Sequence, residues 1–115
     1  MEAEIIARGT LQGPEAGGEV VMERSPEGHM LHLKDYWIAQ GAPDVHIYLS
    51  PDKGGAAEIE GVHDFGKTTQ FSGELSYPIP DGYEVSEIRS VVVYCKVYSV
   101  TFGVARLERE DSSEP

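Results

Sequence analysis

Apolar residues recur at every second position in short runs along this chain, and glycine or proline separates the runs. A period of two puts one set of side chains on a buried face and the other on an exposed face, which is the mark of β-strands. Val45-His46-Ile47-Tyr48-Leu49 alternates strictly, so Val45, Ile47 and Leu49 are expected in a core with His46 and Tyr48 opposite. Glu19–Arg24 and His29–Lys34 flank Ser25-Pro26-Glu27-Gly28 and predict a hairpin. Leu31 and Leu33 then share one face, and Met30 and His32 the other. Glu4–Leu11 and Phe71–Tyr77 read as further strands, and Glu58-Ile59 and Val62–Phe65 as short edge strands.

Val91-Val92-Val93-Tyr94-Cys95 is continuously apolar, as in a strand covered on both faces. It predicts a strand within Glu87–Tyr98, with Cys95 in the same parity as Val91 and Val93. A last strand is expected from Val97 to Leu107, with Val100, Phe102 and Val104 on one face. No stretch holds a helical period for more than a turn or two, and the β-branched residues between 84 and 96 oppose a helix there. The expected fold is all-β: a single-domain antiparallel β-sandwich or flattened barrel of about eight short strands. It spans residues 1–107, and Glu108–Pro115 reads as a charged tail.

The length of 115 residues suits one domain. With 20 acidic against 9 basic side chains, the net charge of −11 argues against nucleic acid and against an anionic membrane surface. No apolar run approaches the roughly 20 residues of a membrane span. The opening Met1-Glu2-Ala3-Glu4-Ile5-Ile6 is not a secretory signal. The chain reads as cytoplasmic as it stands, or as extracellular if a leader has been trimmed. A monomer is expected.

The single cysteine excludes an intrachain disulfide and a zinc finger. Phosphate-binding loops, HExxH and GxSxG are absent as well. Cys95 is then the residue best suited to thiolate, sulfenic acid or mixed-disulfide chemistry, and thiolate reactivity needs some exposure and a nearby cation. Lys96 is adjacent, but neighbours in a strand point to opposite faces. The alternative is a small core hydrophobe, the usual fate of free cysteine. His29, His32, His46 and His63, with Asp35, Asp44 and Asp64, offer imidazole and carboxylate groups; His32 and His46 could approach one another, though solvated surface histidines are the plainer reading. No metal and no bound cofactor is assigned. Tyr36-Trp37, Tyr48, Tyr77, Tyr94 and Tyr98 are either packing residues or a stacking surface.

Several ordered motifs resemble the DM13 domain, also labelled electron-transfer DM13. They are Gly9-Thr10-Leu11, His29 to Tyr36, Gly41-Ala42-Pro43-Asp44-Val45-His46-Ile47-Tyr48-Leu49-Ser50, Tyr77-Pro78-Ile79-Pro80, Arg89 to Lys96 and Val100 to Leu107. The resemblance implies a compact β fold with Cys95 as its hallmark thiol. It also implies a redox or electron-transfer role beside a partner such as a haem or metal protein. Cys95 is the expected centre; Tyr94, Lys96, Tyr98, His46 and Tyr48 are the expected ligand- or partner-binding residues. The competing expectation is a non-enzymatic module binding a protein or carbohydrate, with Cys95 in the core.

Overall fold

The alternating runs pair into one antiparallel sheet. A computed structural model describes residues 4–39, 44–80, 82 and 85–109. The strands are β1 (Glu4–Gln12), β2 (Ala16–Ser25), β3 (Gly28–Ile38), β4 (Val45–Ser50), β5 (His63–Lys67), β6 (Ser72–Ile79), β7 (Ser90–Cys95), β8 (Val100–Arg106) and β9 (Glu108–Arg109). A 3₁₀ turn at Val85–Glu87 precedes β7. The strand order is β5-β4-β7-β8-β1-β2-β3-β6, with β9 also on β1. β5 and β6 follow one another in sequence yet stand at opposite ends of that order, so the sheet curls until it is nearly closed. Side chains complete the seam: Phe65 of β5 stacks on Tyr77 of β6 with ring centroids 4.6 Å apart and planes 12° from parallel. Segment 68–71 crosses the same seam, the Thr68 N–H donating to the Val45 carbonyl (2.8 Å) and the Ile38 N–H to the Phe71 carbonyl (3.0 Å). The flattened-barrel form of the expected all-β fold is the one adopted.

The predicted inward residues Leu31, Leu33, Val45, Ile47, Leu49, Val91, Val93 and Cys95 lie in one core cluster with Val20, Met22 and Tyr36. The β2–β3 hairpin forms where expected, with Ser25 opposite Gly28 across Pro26-Glu27.

Of the register shifts in the ladders, those in β3 and β8 change which residues reach the core. In β3 the register shifts between Leu33 and Tyr36, where Asp35 has φ 50°, opposite Gly18 with φ 140°. A Cβ on Gly18 would come within 2.9 Å of the Lys34 carbonyl oxygen, so glycine is required there. The extra residue swings Tyr36 and Ile38 inward and leaves Trp37 outside. In β8, Val93 faces Gly103 but Tyr94 faces Thr101, so Phe102 is the extra residue. Phe102 turns into the core while Val104 packs on the outer face and Val100 is exposed. The expected shared face of Val100, Phe102 and Val104 is corrected accordingly.

Strand limits shift as well. β7 ends at Cys95 and residues 96–99 form a turn, so neither Tyr98 nor Val97 belongs to a strand. Pro78 sits inside β6, where an end position in the sheet order tolerates its missing N–H. Glu58-Ile59 is no strand. It belongs to a loop, 51–62, that folds back over the outside of β4, β7 and β8, where Ala57 and Val62 pack on Tyr48, Val92, Tyr94 and Val104. The loop is pinned from below. The Ser50 hydroxyl donates to the Ala56 carbonyl (2.7 Å), and the Ser90 hydroxyl donates to the Asp52 carbonyl (2.6 Å). Both serines are fully buried under it. Glu108 and Arg109, the start of the expected tail, pair with Arg8 and Ala7, and the Arg109 guanidinium donates to the Val85 carbonyl at 3.0 Å. Residues 110–115 and the Gly41-Ala42-Pro43 break lie outside the described residues.

Tyr36 is fully buried, and its hydroxyl has no hydrogen-bond partner of proper geometry among the described residues. Burial pushes its pKa up to about 12, against a smaller opposing influence of Thr68. The folded protein therefore holds this proton more tightly than the unfolded chain, whose tyrosines ionise near pH 10. Stability that is complete below pH 10 falls as the pH rises toward 12. Urea unfolding across that window is expected to show the loss, and Tyr36→Phe to reduce it. At pH 7, Tyr36→Phe is expected to raise stability by about 1 kcal/mol, because it removes an unpaired buried hydroxyl.

Candidate functional site

Cys95 closes β7 at the edge of the barrel. Parity carries its side chain inward, between Val45 of β4 and Val100 of β8. It is 1 % exposed and packs in the main core. A thiol so placed is shielded from a partner disulfide, since exchange requires direct approach to sulfur.

The residue on either side of Cys95 faces outward. Tyr94 lies on the outer face beside Tyr48, ring centroids 5.6 Å apart, and its hydroxyl donates to Glu58 Oε2 at 2.7 Å. That hydrogen bond to a carboxylate, followed by burial, raises the Tyr94 pKa. Burial, then the nearby Asp64 carboxylate, raises that of Tyr48. Both phenols stay protonated through the neutral range. One strand position further, the ring nitrogens of His46 lie 2.9 Å from Asp44 Oδ1 and 2.9 Å from Asp64 Oδ1. The Lys96 ammonium stands 3.9 Å from the other Asp64 oxygen, and its backbone N–H donates to the Asp44 carbonyl at 2.9 Å. Four expected binding residues, His46, Tyr48, Tyr94 and Lys96, therefore form one patch. Cys95 lies behind its wall and not within it.

Tyr98 stands apart, at the tip of the β7–β8 turn. The Ser99 N–H donates back to the Lys96 carbonyl at 3.3 Å, and Ser99 has φ 57°, a conformation uncommon for serine. The turn thrusts Val97, Tyr98 and Val100 outward with 59 %, 67 % and 44 % of their surface exposed. Among the described residues these are three of the five large hydrophobic side chains left in solvent. The sequence reading missed Val97 and Val100 as surface residues. No glycine or proline marks this turn, and valine is an ordinary strand residue.

His32 does not approach His46. It lies on β3, bonded to Ser76 (2.7 Å) and Glu23 (3.1 Å), with four strands between β3 and β4 in the sheet order. His63 meets Phe65 edge-on at 4.8 Å. Among the described residues no group of three or more His, Cys, Asp and Glu side chains is placed to hold a metal ion. No helix among them is long and apolar enough to cross a membrane.

Fold and site together define a small, nearly closed antiparallel β domain with a core cysteine at the root of an exposed apolar hairpin. The chain belongs to the DM13 family: the family model described as electron transfer DM13 matches residues 12–107. The family is an electron-transfer one, which supports a redox-associated role. Comparison with curated proteins and with solved structures finds no match.

The Tyr94–Glu58 bond ties the 51–62 loop to the barrel. Tyr94→Phe is expected to cost about 1 kcal/mol, read by chemical denaturation, and to speed amide exchange in 56–62 relative to β4 and β7.

Proposed function

We propose that this domain is an electron-transfer module that docks a haem or metal protein through the Lys96–Val100 hairpin, with Cys95 as the redox group at its root. The observation that carries the reading is the concentration of exposed apolar surface in the residues directly after the buried cysteine. Exposed apolar patches of this kind mark contact sites. Single-electron transfer fits the burial of Cys95, whereas thiol exchange does not. In the step, one electron leaves the sulfur for the oxidised metal of the partner, which is reduced by one unit; the S–H bond breaks, its proton passes to solvent, and a thiyl radical remains on Cys95. The net charge of −11 selects a partner with a basic face and makes docking salt-sensitive.

The burial of Cys95 also favours a second reading, a binding module in which the cysteine only fills the core. Stopped-flow mixing with an oxidised basic c-type cytochrome separates the two. Electron transfer predicts reduction that is slowed by salt, slowed by Val97→Ser with Tyr98→Ser, and abolished by Cys95→Ala. In the packing reading, neither the native chain nor Cys95→Ala reduces the cytochrome. In both, native Cys95 is expected to react with a thiol reagent only on the timescale of unfolding, and Cys95→Ser to cost about 1–3 kcal/mol for an unpaired buried hydroxyl. Fast labelling of the native thiol would restore thiol exchange as the chemistry.

A further inference from the structure

The cover provided by the 51–62 loop ends at Gly54 and Gly55. Gly55, with φ 88°, presses on β8 so closely that a Cβ there would come within 2.6 Å of a Val104 methyl. Beyond this edge a groove of about 480 Å³ opens on the outer face of β1 and β8. Thr10, Gln12, Gly54, Val104 and Arg106 line it. Its volume lies within the range of small-molecule sites. One wall is built in advance, because the buried hydroxyls of Ser50 and Ser90 hold Asp52 and Ala56 in place and the Gly55 N–H donates to the Asp52 carbonyl at 3.0 Å. The opposite wall is the β1–β8 ladder, in which Gln12 faces Val104.

Arg106 sets the chemistry. In a chain of net charge −11, no ion pair or hydrogen bond of its side chain is formed with a described residue. Its guanidinium offers a planar fork that suits a carboxylate. Thr10 and Gln12 supply hydroxyl and amide groups that both donate and accept. Val104 contributes an apolar floor. Glu19 faces Thr10 across the β1–β2 ladder and marks the acidic side, so a ligand's carboxylate seats at the Arg106 end.

We infer that this groove binds a small polyhydroxylated carboxylate of the sugar-acid class. The carboxylate pairs with Arg106, the hydroxyls bond to Thr10 and Gln12, and a C–H face rests on Val104. A neutral sugar lacks the ionic bond, and a simple carboxylate lacks the hydroxyl contacts. The groove lies apart from the hairpin tip, so the inference stands independently of the electron-transfer reading.

The test is titration of the full chain with D-glucuronate, followed by amide chemical shifts. Saturable shifts are expected at Thr10, Gln12, Gly54, Val104 and Arg106, with D-glucose and acetate each binding about tenfold more weakly. Arg106→Gln, at an exposed position with no side-chain partner among the described residues, is expected to keep the wild-type unfolding midpoint and to weaken glucuronate binding about tenfold. Failure to saturate, shifts centred elsewhere, an unaffected Arg106→Gln or acetate binding as tightly as glucuronate would each overturn the inference.

Discussion

Val92 points away from the barrel interior and still has no exposed surface. It belongs to a strand, Val91-Val92-Val93, that is apolar on both faces, and burying each such side chain is worth roughly 1.5–3 kcal/mol. The barrel covers only the inner face. Something else must cover the outer one, and the 51–62 loop does so. Its Ala57 and Val62 rest on the row formed by Tyr48, Val92 and Val104. Once the loop lies there, Ser50 and Ser90 lose their water and must bond to its carbonyls, as buried hydroxyls do. Glu58 is carried to Tyr94, and Gly55 to Val104. The outer patch and the groove beside Arg106 are both consequences of that one covering requirement.

The same strand divides two kinds of chemistry by its pleat. Cys95 turns inward and is sealed; Tyr94 and Lys96 turn outward toward carboxylates. The wall is one strand thick, and contact chemistry at the buried sulfur is blocked. The Phe102 bulge serves this arrangement. It drives an aromatic ring into the core, while Val100, paired with Cys95 at the end of the strand, stays exposed.

Much of the fold was legible because burial obeys a period of two. The faces of β4, β7 and the β2–β3 hairpin followed from alternation alone, as did the inward parity of Cys95. The site was legible in part: His46, Tyr48, Tyr94 and Lys96 do share a patch, while Tyr98 stands apart on the turn. One misreading, the shared face of Val100, Phe102 and Val104, comes from a bulge. A bulge adds one residue and inverts every face after it, and at Asp35 and Phe102 no residue type announced it. The 96–99 turn was equally silent, because Ser99 takes a left-handed conformation that glycine would have signalled.

By itself, the sequence determined an all-β chain, its buried faces, its family and its single cysteine. These are properties of local pattern and composition, which need no knowledge of neighbours. Only the tertiary structure decided that the sheet nearly closes through Phe65 and Tyr77, that a loop seals the outer face of β7, and that His32 and His46 lie far apart in the sheet. It also decided which apolar residues stay in solvent beside Cys95. Those outcomes depend on strand order and register. Both are set by contacts between residues distant in sequence, and a one-residue shift in either changes which side chains meet.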